Sequence, residues 1–152
     1  MIFFKKKLPE KLWKCIMVAL KDLRKCEKSD FYHIEMGFWH EPNVDWSINY
    51  TKNCAVCFAG AVMAKSLKAS PHKTYLPSDF SVHNDMRLRA LNDIRSGEVW
   101  EALVKMGYGA SVRNEYFKNN MISTVMPRYS EGPELFKAKV LMIAMDLKKF
   151  DL

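Results

Sequence analysis

The longest uncharged stretch of the chain lies near its middle, within residues 53–67 (NCAVCFAGAVMAKSL). From Cys54 to Ala64 it carries no charge and no strongly polar side chain, and most of its residues are small. A helix that is apolar on all sides is normally buried on all sides. The pattern therefore predicts a central helix over residues 53–67, with Cys54 to Ala64 as the most buried segment.

Amphipathic periodicity predicts four more helices, which we expect to lie against the central one. Apolar residues recur at spacings of three and four along the chain. The predicted helices cover residues 8–25, a stretch from Ser78 or Ser81 to Ile94 or Arg95, residues 98–106, and residues 133–149. Pro9 and Pro133 suit first helical turns, where the missing N–H is not needed. Gly107 suits the position just after a helix end.

A small β element is predicted from alternation. Residues 31–38 place apolar side chains at every second position, and residues 43–50 repeat the pattern more weakly. These two stretches predict a short β-hairpin, and residues 122–126 a further short strand within an irregular region. The predicted fold is mainly α (α+β), a single domain over residues 1–152 with a basic tail at residues 1–7.

The chain is basic, with a formal net charge of +7 and an isoelectric point near 9.2. Such a balance favours partners that carry phosphate. Part of the excess lies at the termini, in residues 5–7 and in Lys148 and Lys149, where charges are usually solvated. We therefore expect nucleic-acid binding to be weak and electrostatic.

The sequence predicts a cytoplasmic protein without a membrane anchor. No secretory signal precedes the first lysines, and the run from Cys54 to Ala64 is too short to span a bilayer. The four cysteines are then expected to be reduced.

No motif specifies a reaction or a cofactor. The chain has no glycine-rich phosphate loop, no paired-carboxylate signature and no G-x-S-x-G. Cys54 and Cys57 have C-x-x-C spacing, but a structural zinc site needs four ligands and no second pair follows. We therefore expect no structural zinc and no cofactor.

One candidate binding site is the start of the predicted central helix. Free amides and the positive end of the helix dipole favour an anion there, and aromatic residues just upstream offer faces on which a base can stack. In the predicted helix 81–95, Arg87 falls within the apolar arc and Arg95 near its edge. An inward guanidinium either pairs within the core or points into a cleft that receives phosphate or carboxylate. The candidate ligand-binding residues are Trp39, His40, Trp46, Tyr50, Lys52, Asn53, Arg87 and Arg95.

The alternative to this site is a cysteine nucleophile. A cysteine at the start of a buried helix has a lowered thiol pKa, and Cys54 or Cys57 has that predicted placement. The base would be one of the four histidines, with His40 the first candidate. This alternative is a cysteine hydrolase.

Three motifs carry a resemblance to a known group. Residues 37–40 (GFWH), 54–64 (CAVCFAGAVMA) and 88–97 (LRALNDIRSG) resemble small proteins of tailed bacteriophages that have no established activity. The resemblance covers about the middle half of the chain and implies a phage source but no catalytic residue. It favours an accessory protein that acts by binding in the host cytoplasm, through capture of an anionic nucleotide signal or by masking a host protein.

Overall fold

The computed structural model describes residues 6–45, 52–111 and 126–152. Within these ranges the fold is mainly helical with a small β-sheet, which confirms the predicted fold class. The helices are α1 (Leu12–Glu27), α2 (Phe58–Lys65), α3 (Val82–Arg95), α4 (Val99–Lys105) and α5 (Pro133–Lys149). The strands are β1 (Tyr32–Ile34), β2 (His40–Asp45) and β3 (Lys52–Val56), and a short 3-10 turn covers Pro77–Asp79.

The sheet has the strand order β1-β3-β2, so β3 is its central strand. β1 runs parallel to β3, with Tyr32 opposite Cys54, and β2 runs antiparallel to β3, with His40 opposite Val56. The predicted hairpin between residues 31–38 and 43–50 is therefore wrong, because β3 lies between those two strands. Residues 46–50 and the predicted strand 122–126 lie outside the described residues.

The predicted central helix is correct only in its second half. Residues 52–56 form β3, and α2 begins at Phe58. A short apolar run suits a strand buried on both faces as well as a buried helix, so periodicity cannot separate the two. The strand ends at Val56. The next residue, Cys57, has an extended backbone, and its sulphur accepts a hydrogen bond from the Gly60 amide at 3.4 Å.

The predicted burial of this segment is confirmed. Every residue from Cys54 to Ala64 is buried. α2 packs against α1 and α3, and the ring of Phe58 meets the ring of Phe136 on α5 edge to face at 5.8 Å. The strand–turn–helix segment 52–65 thus forms the centre of the core.

The other helices lie close to their predicted positions. α3, α4 and α5 match within one residue at most ends, and Gly107 has the left-handed φ of 91° expected after a helix. α1 begins at Leu12 instead of residue 8, because the Pro9 carbonyl accepts a hydrogen bond from Arg87 and the Leu12 amide donates to the Leu152 oxygen at 2.7 Å. Among the described residues, no helix is long and apolar enough to cross a membrane.

Candidate functional site

The predicted anion site at residues 53 and 54 is not formed. Both residues lie in β3, and the Cys54 amide donates to the Phe31 carbonyl at 2.8 Å. The Asn53 side chain is hydrogen-bonded to His33. The Cys54 amide proposed to receive an anion is therefore used in the sheet, because this segment is a strand and not a helix start.

The remaining upstream candidates are only partly described. Trp39 is half-buried and His40 is buried, whereas Lys52 contributes backbone to β3 and its side chain lies outside the description. Trp46 and Tyr50 lie outside the described residues. The aromatic part of the predicted site therefore stays a prediction.

Arg87 points inward, as its place in the apolar arc of α3 indicates, and is only 8% exposed. Its Nε donates to the Pro9 carbonyl at 2.7 Å and its Nη1 to the His83 carbonyl at 3.1 Å. A buried guanidinium needs such acceptors. Arg87 therefore links α3 to the segment before α1, which is a structural role.

His40 is the histidine that the fold brings to Cys54. The Cys54 sulphur lies 3.5 Å from His40 Nδ1 and 3.7 Å from Nε2, across the β2–β3 pair. His40 Nδ1 is 2.9 Å from the Lys73 carbonyl, which can only accept, so Nδ1 carries the proton and Nε2 is the free acceptor. The edges of the Tyr32 and Tyr75 rings complete the surroundings of the imidazole.

Burial keeps this pair neutral. Desolvation raises the pKa of the Cys54 thiol to about 12, with a further contribution from the charge of Glu41, and burial lowers the pKa of His40. Both side chains are 1% exposed. Cys54 also lies in a strand, without the helix dipole that the hydrolase alternative requires. The arrangement is a thiol beside a neutral imidazole, closed to solvent.

The lowered pKa of His40 has a consequence for stability. Above the unfolded pKa near 6.5 the ring is neutral in both states, and below it the unfolded chain takes up a proton first. We therefore expect the free energy of unfolding to fall as the pH is lowered from 7 to 5, by at most about 1.4 kcal/mol per pH unit from this group. Urea unfolding at each pH measures the effect.

Two variants separate the contribution of His40 from that of an exposed histidine. His40→Gln should lose this part of the pH dependence, whereas His72→Gln should keep it, because His72 is exposed. A His40→Gln profile parallel to that of the wild type would show that His40 does not titrate as its burial requires.

An open groove of about 590 Å³ lies next to Arg95. It is lined by residues 34–36, 95–96, 126–130, 133 and 136. Residues 34–36 include the end of β1, and the Glu35 amide donates to the Val56 carbonyl at 2.9 Å, so the groove lies at the carboxyl ends of the parallel strands β1 and β3.

Charge and apolar surface meet in this groove. The half-buried Arg95 donates from Nε to Asn92 Oδ1 at 2.9 Å, and among the described residues it forms no ion pair with a carboxylate. Arg128 is exposed and 3.8 Å from Glu131. The Glu35 carboxylate is the acidic group of the lining. The groove can therefore hold an anion beside Arg95 while apolar walls cover the rest of a ligand.

Contacts of Tyr129 stabilise one wall of the groove. Tyr129 donates from its hydroxyl to Glu27, and Lys137 lies 2.8 Å from the same carboxylate. The Tyr129 ring also meets the Phe136 ring edge to face at 5.7 Å. These contacts hold the segment before α5 against the end of α1.

Arg95 is the predicted ligand-binding residue that lies on this groove. The other walls were missed, because residues 34–36 and 126–136 are far apart in sequence, and residues 127–132 of the second stretch have no helical or strand period. The sequence predicts an irregular region before the helix that begins at residue 133, but it does not indicate that this region folds against β1.

Comparison of the chain with protein families, curated proteins and solved structures finds no match. Among the described residues, no three histidine, cysteine or acidic side chains converge as metal ligands. The groove and the Cys54–His40 pair are therefore the two features from which we infer a function.

Proposed function

We propose that the protein acts by binding an anionic small molecule in the groove beside Arg95. The observation that carries the proposal is a half-buried guanidinium on the wall of an open groove, with no carboxylate partner among the described residues. A guanidinium presents several N–H donors in a plane that matches phosphate and carboxylate, so an anionic ligand is the natural partner.

The size and lining of the groove support a ligand of about nucleotide size. Binding sites for small molecules usually enclose about 300–1,000 Å³ and combine apolar walls with a few polar groups. Here Met36, Met126 and Phe136 supply apolar surface, and Ser96 supplies a hydroxyl. A phosphate at Arg95 with a base against the apolar wall fits this division.

The biological part of the proposal rests on the resemblance of residues 37–40, 54–64 and 88–97 to small phage proteins. A phage accessory protein in the host cytoplasm would use such a groove to capture a nucleotide signal and so weaken a host defence. Masking a host protein is the other form that binding would take.

Cysteine hydrolysis is the second candidate function. The Cys54 sulphur lies 3.7 Å from His40 Nε2, the nitrogen that can accept a proton, and this proximity favours a nucleophile with an adjacent base. The burial of both groups and the raised thiol pKa oppose it. Binding in the groove is therefore the better supported function.

Calorimetric titration with a panel of nucleotides and cyclic nucleotides tests the proposal. We expect Arg95→Gln to weaken binding by about tenfold to a hundredfold, the loss of one or two charge-assisted hydrogen bonds. Arg89→Gln is the matched control, because Arg89 lies on the same helix, is exposed and pairs with Asp85 at 3.1 Å. The control should bind like the wild type.

The two candidate functions give different results in the same assays. Cys54→Ser should keep full binding if the groove is the site, and should abolish turnover of an ester or amide panel if Cys54 is a nucleophile. Absence of binding across the panel, or equal affinity of Arg95→Gln and the wild type, would refute the groove as an anion site.

A further inference from the structure

Positive charges dominate the solvent face of α1. Its cations are Lys14, Lys21, Arg24 and Lys25, with Lys28 directly after the end of the helix, and all of them are exposed. Among the described residues, none of them forms an ion pair with a carboxylate. The acidic residues of α1 are engaged elsewhere, since Asp22 is buried against Ser66 and Glu27 pairs with Lys137.

The two other long helices do not share this pattern. On α3, Arg89 pairs with Asp85 and Asp93 pairs with Lys105 of α4. On α5, Lys149 lies 3.5 Å from Asp146. Mixed, paired charges of this kind are what solubility alone requires. The face of α1 therefore differs from an ordinary solvated helix.

Neighbouring segments place two more cations close to α1. Lys6, from the segment before α1, acts with Lys25 on Asp22 to oppose the rise of its pKa that burial causes. Lys65 at the end of α2 lies 5.1 Å from the Tyr32 ring and acts on Cys26 of α1. Arg24 acts on the Glu134 carboxylate, which pairs with Lys137 at 2.7 Å.

We infer that the exposed face of α1 binds the phosphate backbone of a nucleic-acid duplex, independently of base sequence. From Lys14 to Lys28 the helix rises about 21 Å, so its cations can reach several successive phosphates of a duplex groove. The face offers lysine and arginine heads, which make the contacts that position a protein on a duplex without reading bases.

A duplex fits this face better than an anionic membrane does. An interfacial helix needs an apolar side that enters the lipid. The apolar side of α1, with Leu12, Ile16 and Leu20, is already buried in the core. Met17 is the large apolar residue that α1 exposes, at 39%.

Fluorescence anisotropy with a labelled 20-base-pair duplex tests this surface on the full chain, at salt concentrations from 50 to 200 mM. Neutralising two phosphate-binding lysines should weaken binding at low salt by about tenfold. It should also make the negative slope of log affinity against log salt shallower by about two. We expect this of Lys21→Gln/Lys25→Gln. The second pair, Arg24→Gln/Lys28→Gln, should behave in the same way and guards against a folding defect in the first.

Lys73→Gln/Lys149→Gln is the matched control, since it removes the same charge from exposed positions outside α1. It should keep the affinity and the slope of the wild type. Equal losses in the control and the α1 variants, absence of duplex binding at 50 mM salt, or binding only to vesicles of anionic lipid would each overturn the inference. Because none of these lysines lines the groove, the nucleotide titration with Arg95→Gln gives a separate result.

Discussion

Gly60→Ala should unfold the protein or displace the start of β2, because α2 lies directly against the backbone of Trp39. A Cβ atom at Gly60 would lie 1.6 Å from the Trp39 carbonyl oxygen and 2.8 Å from its carbonyl carbon. It would also lie 3.1 Å from Cβ of Val56. A backbone carbonyl cannot rotate away as a flexible side chain can, so either the helix or the strand must move.

We expect Gly60→Ala to lower the free energy of unfolding by about 3 kcal/mol or more, at the upper end of the cost of overpacking. Urea unfolding followed by circular dichroism measures it. Gly109→Ala is the matched control, because among the described residues no atom lies within 4 Å of its added Cβ. It should change stability by less than about 0.5 kcal/mol. Two variants of equal stability would show that α2 does not approach Trp39 this closely.

Ala61→Asp should have an effect of similar size by a different mechanism. Ala61 is 0% exposed and lies in the middle of α2, in a segment whose other residues are apolar. A carboxylate there loses its water and gains no partner, which costs several kcal/mol or forces protonation. We therefore expect an unfolded or strongly destabilised protein at neutral pH.

The pH dependence of this variant identifies the mechanism. A buried carboxylate is less costly when protonated, so Ala61→Asp should recover part of its deficit relative to the wild type as the pH falls toward 4. Ala138→Asp on the exposed face of α5 controls for the loss of helix propensity, which costs about 0.6 kcal/mol. An Ala61→Asp protein as stable as the Ala138→Asp protein would refute the burial of α2.

The two proposed binding surfaces, the groove at Arg95 and the face of α1, differ in shape and in polarity. The groove at Arg95 is concave, partly apolar and of about nucleotide size, whereas the face of α1 is convex and cationic. The lining of the groove includes none of the cations of the α1 face, so variants at one proposed site leave the other intact. The buried Cys54–His40 pair belongs to neither surface, and its neutral state at pH 7 assigns it to the packing of β2 on β3.

The sequence by itself determined the features that depend on local chemistry. The helical period and the flanking serine, glycine and proline residues placed α3, α4 and α5, because caps and amphipathic stripes act within a few residues. The lack of charge from Cys54 to Ala64 determined its burial, since no polar group there needs water. The position of Arg87 in an apolar arc determined that its guanidinium points inward.

Only the tertiary structure decided the features that depend on distant segments. Residues 52–56 form a strand because β1 and β2 are present on both sides to bond their amides and carbonyls, and no local signal reports those partners. His40 meets Cys54 through the β2–β3 pairing, and the Arg95 groove needs β1, the end of α3 and the start of α5 together. Local apolar sequence gives strand and helix nearly equal free energies, and long-range pairing selects one of them. The strand β3, the Cys54–His40 contact and the Arg95 groove therefore follow from the tertiary structure alone.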